Sequence, residues 1–250
     1  MENKSLYILG TRIDKVTFEE STQKAIDILH GKSQHYFTTP NPEITLVAAK
    51  DKSYQAILNK SSLNIPDGIG LLYASKFLKA INKTDFIIKE RVTGTDLTIK
   101  LIQLSKTEGF SIFFLGASKK SSEKVVAYAK KQHANIAGSY TDNLNSKECI
   151  ATIKKTKPDL LLVAMNFPKQ EIWISKNLKA LPSVKLSIGI GGAFDFIAEA
   201  RKRAPRLLRR LGLEWLYRLI QEPRRIKRIF NAVIVFPIKV LLSNKNNTTS

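Results

Sequence analysis

Asp67 is the lone carboxylate in "NIPDGIGLLY" (residues 64–73), and no lysine or arginine lies within five positions on either side. Leu63 and Ile65 lead into a Pro-Asp-Gly turn, and an apolar run follows at once. With no cation beside it in sequence, such a carboxylate can accept a proton. Other short stretches offer groups that could share a site with it. "TTPNPE" supplies Thr39 and Asn41, and "ERVTGTDL" supplies Arg91, whose guanidinium matches phosphate or carboxylate. "FPKQEIWI" puts Lys169, Gln170 and Glu171 in the first turn of an expected helix, where free backbone N–H groups attract anions. "FFLGAS" brings Gly116, and "GIGGAFD" brings Gly191, Gly192 and Asp195 at a glycine turn that a diphosphate could approach closely.

Each stretch also has a plainer reading. Asn41 suits a helix N-cap, Glu171 is an ordinary first-turn acid, and Arg91 could be a solvated surface arginine. The glycines could serve only a tight strand-to-helix turn. Thr39 has no such ready structural use.

Other chemistries find little support. The glycines lack the third member of the G-x-G-x-x-G dinucleotide fingerprint, and no P-loop is present, which disfavours a nucleotide-dependent oxidoreductase. The single cysteine, Cys149, excludes an intramolecular disulfide framework and a cysteine-cluster zinc site. His30, His35 and His133 lack metal-motif spacing. No metal and no cofactor are expected.

The elements that must position these residues alternate. Strand-like runs are "LYIL", "HYFTT", "LNI", "SIFFLG", "NIAGSY", "DLLLVAM" and "VKLSIGIGG". Between them come helical patterns: 18–29 opened by a capping box at Thr17, one starting at Asn41-Pro42-Glu43, then 69–79, 94–109, 121–132, 146–156 and 169–180. Strands separated by helices imply parallel pairing. The expected fold is therefore α/β, a Rossmann-like open parallel sheet with helices on both faces. Ligands in such folds bind beyond the carboxyl ends of the strands, where Thr39, Asn41, Asp67, Gly116, Lys169, Gln170, Glu171, Gly191, Gly192 and Asp195 fall.

The net charge of the 250 residues is +20, and +11 of it belongs to residues 201–250. That segment interleaves arginine with Leu, Trp and Ile at helical spacing, punctuated by Pro205, Gly212 and Pro223. It reads as a basic amphipathic helical C-terminal appendage. The apolar stretch 229–242, interrupted by Asn231, Pro237 and Lys239, is too short to span a bilayer but suits its interface. Arg218, Arg225 and Arg228 share one helical face if the helix continues past Pro223. The organisation expected is a core over 1–199, an appendage over 200–243 and a disordered end over 244–250. Such a tail seeks polyanions, but no nucleic-acid motif is present and nucleic acid is not an expected partner. No signal-peptide pattern or run of about 18 apolar residues occurs, so a cytoplasmic protein on the inner membrane face is expected. The amphipathic helices fit lipid or a second copy, so a homo-oligomer stays open.

Together these motifs resemble the WecG/TagA/CpsF glycosyltransferases (glycosyltransferase family 26) from about Leu6 to Phe230. The resemblance rests on "TPNPEI", "IPDGIGLLYASKFL", "ERVTGTDL", "FFLGAS", "PDLLLVAMNFPKQEIWI", "IGIGGAFDF" and "RAPRLLRRLGLEWLYRLIQEPRRIKR". It implies an inverting, metal-independent enzyme of bacterial surface-polysaccharide assembly, such as teichoic acid synthesis. The donor would be a UDP-sugar, N-acetylmannosamine or a related hexose or uronic acid, and the acceptor a polyprenyl-diphosphate-linked sugar. The family's proposed base maps to Asp67, its motif threonine to Thr39 and its motif glutamine to Gln170. Its C-terminal arginines match Arg218, Arg225 and Arg228 best. Ala164, Asn166 and Glu199 depart from the family's glycine-rich pattern, which bears on donor-sugar preference and loop shape. The rival reading is a non-catalytic membrane- or nucleic-acid-binding scaffold, in which the strand-end polar residues would be dispensable.

Overall fold

A computed structural model describes residues 5–198, 204–205, 208 and 214–243. Its centre is a six-stranded sheet in which every pairing is parallel. The strands are β3 (His35–Thr38), β4 (Leu63–Asn64), β5 (Ile112–Gly116), β6 (Ile136–Tyr140), β7 (Leu160–Ala164) and β8 (Leu186–Gly189), in the order β4-β3-β8-β7-β5-β6. Strands β5 and β7 are apolar at every position, and β8 departs only at the buried Ser187, because both faces of the sheet are covered. Ile112, Phe114, Leu160, Leu162, Leu186 and Ile188 point into one core layer, and Phe113, Leu115, Leu161 and Val163 into the other. This is the period of two that a pleated strand imposes.

The first layer is closed by α1 (Phe18–His30), α5 (Gly94–Leu104), α6 (Lys119–Lys131) and α9 (Ala193–Ile197). The second is closed by α7 (Lys147–Thr156) and α8 (Lys169–Asn177), which runs into a 3-10 turn at Leu178–Ala180. Two helix starts follow the side chains anticipated: Thr17 forms a full capping box with Glu20, and Asn41 caps α2 (Pro42–Lys50); Thr93 caps α5 in the same manner.

Four elements differ from expectation. The "LYIL" strand, β1 (Ser5–Ile8), stays outside the parallel sheet and pairs antiparallel with β2 (Thr11–Asp14). Leu9 and Gly10, both at positive φ, make a two-residue hairpin turn of the kind that matches strand twist. A helix not anticipated, α3 (Lys52–Asn59), follows α2 directly. Asp51 ends the one and caps the other, its carboxylate accepting from the N–H groups of Ser53 and Tyr54 at 3.0 Å. Helix α5 stops at Leu104 rather than Gly109, because the Ser105 hydroxyl bonds back to Ile102 O and receives the Asn135 N–H at 3.0 Å. Residues 178–180 wind as the 3-10 turn rather than continuing α8.

After α9 come α10 (Glu214–Gln221), a 3-10 turn at Pro223–Arg225, α11 (Ile226–Phe230), a π-turn at Asn231–Val235 and α12 (Phe236–Ser243). Pro237 does not break this last segment. Proline lacks the N–H that residue 233 would accept, and its ring crowds that carbonyl. The wider π-turn relieves the conflict, and Phe236 N–H donates to Asn231 O, five residues back. Phe236 and Val240 are buried in one cluster with Leu6 and Ile13 of the hairpin and with Leu71, Leu72 and Leu78 of α4 (Ile69–Ala80). That face of the last helix therefore packs on the core, not on lipid. Among the described residues no helix is long and apolar enough to cross a membrane. The expected boundary at residues 199 and 200, the side chains of Arg218 and Arg225, and the terminal segment 244–250 lie outside the described residues.

Candidate active site

The turn carrying Asp67 is fixed from three sides. Asp67 N–H donates to Pro40 O at 2.9 Å, Pro66 O accepts from Val92 N–H at 3.0 Å, and Asp67 Oδ2 accepts from Gly94 N–H at 3.2 Å. The first two tie together the segments following β3, β4 and the loop before α5. The third sets the carboxylate against the N-terminus of α5, where the helix dipole favours negative charge. Gly68 and Gly70 let the start of α4 approach α2: a Cβ on either would stand 2.8 Å from the ring of Pro42.

A buried polar network lies under this turn. Asn64 N–H donates to Asp14 Oδ2 at 2.7 Å, and Asn64 Oδ1 accepts from the hydroxyls of Thr38 and, at 2.8 Å, Ser61. Arg12 Nε sits 3.1 Å from Asp14 Oδ1. Burial pushes the Asp14 carboxyl above the usual range, although the Asn64 N–H and Arg12 pull it down. The network spends the polar atoms at the ends of β3 and β4 internally, so the chain leaves both strands on fixed paths.

Asp67 lines a cavity of about 480 Å³, within the range of small-molecule sites. Asn41, Glu43, Arg91, Thr93 and Thr95 share its wall, and the tail contributes Trp215 and Arg228. Arg228 is held by Glu43, whose Oε2 accepts from Nε at 2.8 Å and from Nη2 at 2.6 Å, and the guanidinium lies 5.3 Å from the centre of the Phe167 ring. Of the residues anticipated from the sequence, Asp67, Asn41, Arg91 and Arg228 therefore meet at one cavity. Asn41 also does the plainer job of capping α2, its Oδ1 accepting from Ile44 N–H at 3.0 Å.

The other anticipated residues lie beyond the cavity wall. Thr39, 6% exposed, donates its hydroxyl to Gly189 O at 3.0 Å and so joins the ends of β3 and β8. Gln170, 2% exposed, uses both ends of its amide inside the protein: Nε2 donates to Glu171 Oε1 at 2.7 Å, and Oε1 accepts from Gly191 N–H at 2.8 Å. Glu171 is fully buried and also accepts from the Tyr54 hydroxyl at 3.1 Å. Burial raises the Glu171 carboxyl, while Gln170 and Tyr54 favour its ionised form. The same burial, with Glu171 beside it, drives the Tyr54 phenol far up.

Gly191, at positive φ, faces open space and holds the turn after β8 beside Gly192 and Lys169's helix. Asp195 Oδ1 accepts from the Ser121 hydroxyl at 2.8 Å, linking α9 to α6. Gly116, also at positive φ, ends β5 where a Cβ would come within 2.6 Å of Ala164 O, so it serves strand packing. Glu43, Thr93, Thr95 and Trp215 were not anticipated as site residues. Glu43 reads as a first-turn acid and Thr93 as a cap, and those roles conceal their position on the wall. Among the described residues no three His, Cys, Asp or Glu side chains gather as a metal site.

The profile of the "Glycosyl transferase WecG/TagA/CpsF family" matches residues 6–250. An N-acetylglucosaminyldiphosphoundecaprenol N-acetyl-beta-D-mannosaminyltransferase of Bacillus subtilis (strain 168) is 34% identical over 215 residues, covering 85% of this chain and 81% of the relative. A Staphylococcus aureus (strain MRSA252) protein of the same name is 29% identical over 238 residues, covering 93% and 91%. With a match over nearly its whole length, the chain belongs to the WecG/TagA/CpsF family of glycosyltransferases.

Proposed function

We propose that this chain transfers N-acetylmannosamine, or a related hexose or uronic acid, from a UDP-sugar to a polyprenyl-diphosphate-linked sugar, with inversion and without a metal. The observation that carries this reading is the convergence of Asp67, Arg91 and Arg228 on the wall of one cavity. Asp67 takes the proton of the acceptor hydroxyl as that oxygen attacks the anomeric carbon. The diphosphate leaving group gains negative charge as its bond to the sugar breaks. Preorganised arginines stabilise that charge, and their forked donors suit phosphate oxygens. Arg218 and Arg225 are proposed to join Arg228 in this role.

Thr39 and Gln170 support the reading from behind the wall. Thr39 anchors the strand end that leads to Asn41, and Gln170 sets the peptide orientation at Gly191. Gly116, Lys169, Glu171, Gly192 and Asp195 complete the strand-end shell that we assign to the donor side.

We assign residues 200–243 to an appendage that docks on the core and on an anionic membrane surface. Its exposed Ile220, Ile226, Phe230, Ile234 and Ile238 support this, together with its basic residues. Each Lys or Arg near an anionic surface contributes about 1 kcal/mol, lost as salt rises. The same face also fits a second copy of the chain. Screening UDP-sugars against a short-chain polyprenyl-diphosphate N-acetylglucosamine tests the function. Transfer from UDP-N-acetylmannosamine or a close analogue is expected, and no transfer from any UDP-sugar would sink the proposal.

A further inference from the structure

The cavity is chemically divided along its length. Helix α4 starts two residues after Asp67, and Tyr73, Ala74 and Phe77 continue along one side of it. With a rise of 1.5 Å per residue, that wall runs about 12 Å from the start of the helix to Phe77. Opposite it the tail presents Val233, Pro237 and Leu241 at helical spacing. The two helices meet where the Phe236 ring comes 3.6 Å from the Cβ position of Gly70. Among the described residues no charged side chain lines the wall between Gly70 and Phe77, although Lys76 Nζ stands 5.8 Å from the centre of the Tyr73 ring, and Arg228 stands at the other end, beside Glu43. The apolar end is open, since Tyr73 and Leu241 line the cavity yet are about half exposed. Leu241 also borders the outward apolar stripe of Ile234, Ile238 and Leu242.

We propose that this apolar half is a prenyl subsite, which takes the first isoprene units of the acceptor's lipid chain while Asp67 meets its sugar. The inference rests on the glycosyltransferase reading above and adds a site to it. A cavity of this size cannot enclose a long polyprenyl chain. The open end beside Leu241 lets the remainder leave along the exposed stripe. The binding energy of the lipid is thereby gathered next to the base, so chain length bears on acceptor affinity and not on the chemistry at Asp67.

Trp215 lines the cavity, and the chain's other tryptophan, Trp173, is buried between the sheet and α8. Fluorescence quenching therefore reports occupancy from Trp215. The full-length protein is titrated with pyrophosphate, isopentenyl diphosphate and farnesyl diphosphate, without lipid. Farnesyl diphosphate is expected to bind at least about tenfold more tightly than isopentenyl diphosphate, because ten more carbons leave water. Ala232→Phe, which fills the cavity, and Leu241→Asp at its open end are each expected to abolish that difference and leave the pyrophosphate response unchanged. Equal affinity for all three ligands, or variants that bind farnesyl diphosphate like the wild type, would overturn the subsite. Sugar transfer with no chain-length dependence removes the subsite and leaves the enzyme reading intact. Chain-length-dependent binding with no transfer from any UDP-sugar removes the enzyme reading and leaves a prenyl pocket.

Discussion

Arg228 and Glu43, 185 residues apart, meet in a two-donor contact in the wall of the cavity, with Nε and Nη2 of the arginine converging on one carboxylate oxygen. This contact clasps the tail to α2 and also occupies the arginine that we assign to the leaving group. An entering diphosphate must therefore draw Arg228 from Glu43 or share it. The pair is partly exposed, so its worth is about 0.2–1 kcal/mol. Glu43→Gln is expected to move the melting temperature little, speed tryptic cleavage in the tail several-fold and tighten UDP binding. Unchanged proteolysis and unchanged UDP affinity would show that the clasp restrains nothing.

Asp67→Asn keeps an oxygen to accept the Gly94 N–H and removes the base. It should fold with an unchanged circular dichroism spectrum and lose about 10² to 10⁴ in turnover, with little change in KM. Near-normal kcat in a steady-state assay would remove Asp67 from that role.

Gln170→Ala takes the donor from one oxygen of the fully buried Glu171 and the acceptor from the N–H of the half-buried Gly191. Leaving buried polar groups unpaired costs about 1–3 kcal/mol each, so urea denaturation should show a loss of that order. Gln170 acts through Gly191 in our reading, so the KM for the UDP-sugar should rise more than kcat falls. A fall in kcat with KM unchanged would instead place Gln170 at the reacting atoms.

Glu171 makes stability depend on pH. Its folded-state pKa lies above the unfolded value of about 4.3. Its contribution is therefore fully present below about pH 4 and is lost as pH rises through the folded value. Gln at this position can donate to the Tyr54 oxygen and accept from Gln170, without a charge to bury. The stability difference, wild type minus Glu171→Gln, should fall as pH rises from 4 to 8 in urea melts. A constant difference would mean that Glu171 titrates as it does in the unfolded chain.

Cys149 is fully buried, and burial raises its thiol to about 11. The native protein should react negligibly with a thiol reagent at pH 8 and react fully in denaturant, because the thiolate is the nucleophile. Rapid reaction of the native protein would mean that α7 opens readily.

Added EDTA should leave transfer unchanged if arginines alone answer the charge of the diphosphate. A clear loss, restored by a divalent cation, would replace that account.

The parallel sheet was legible because its strands are short apolar runs between capped helices, and Thr17, Asn41 and Thr93 cap as their types suggest. The β1–β2 hairpin was hidden because Leu9-Gly10 lacks the usual Asn-Gly or Asp-Gly signature. Helix α3 was hidden because Asp51 joins it to α2 without a linker. Site residues were legible where a polar group closely follows a strand end, as at Asn41 and Asp67. The internal bonds of Thr39, Gln170 and Glu171 were not, because their partners Gly189, Gly191 and Tyr54 come from elements distant in sequence. Glu43 was passed over because a first-turn acid already has a sufficient local explanation.

The π-turn at residues 231–235 makes the seating of the tail a matter of phase. Each residue of an α-helix advances the side chains by about 100°, so one extra residue in a turn rotates everything after it relative to everything before. Arg228 lies before the turn and faces Glu43; Phe236 and Val240 lie after it and face α4. In an uninterrupted α-helix these two contacts would compete for a single rotation of the rod. The turn sets each half at its own angle, so the electrostatic grip and the apolar grip of the tail can both be made at once.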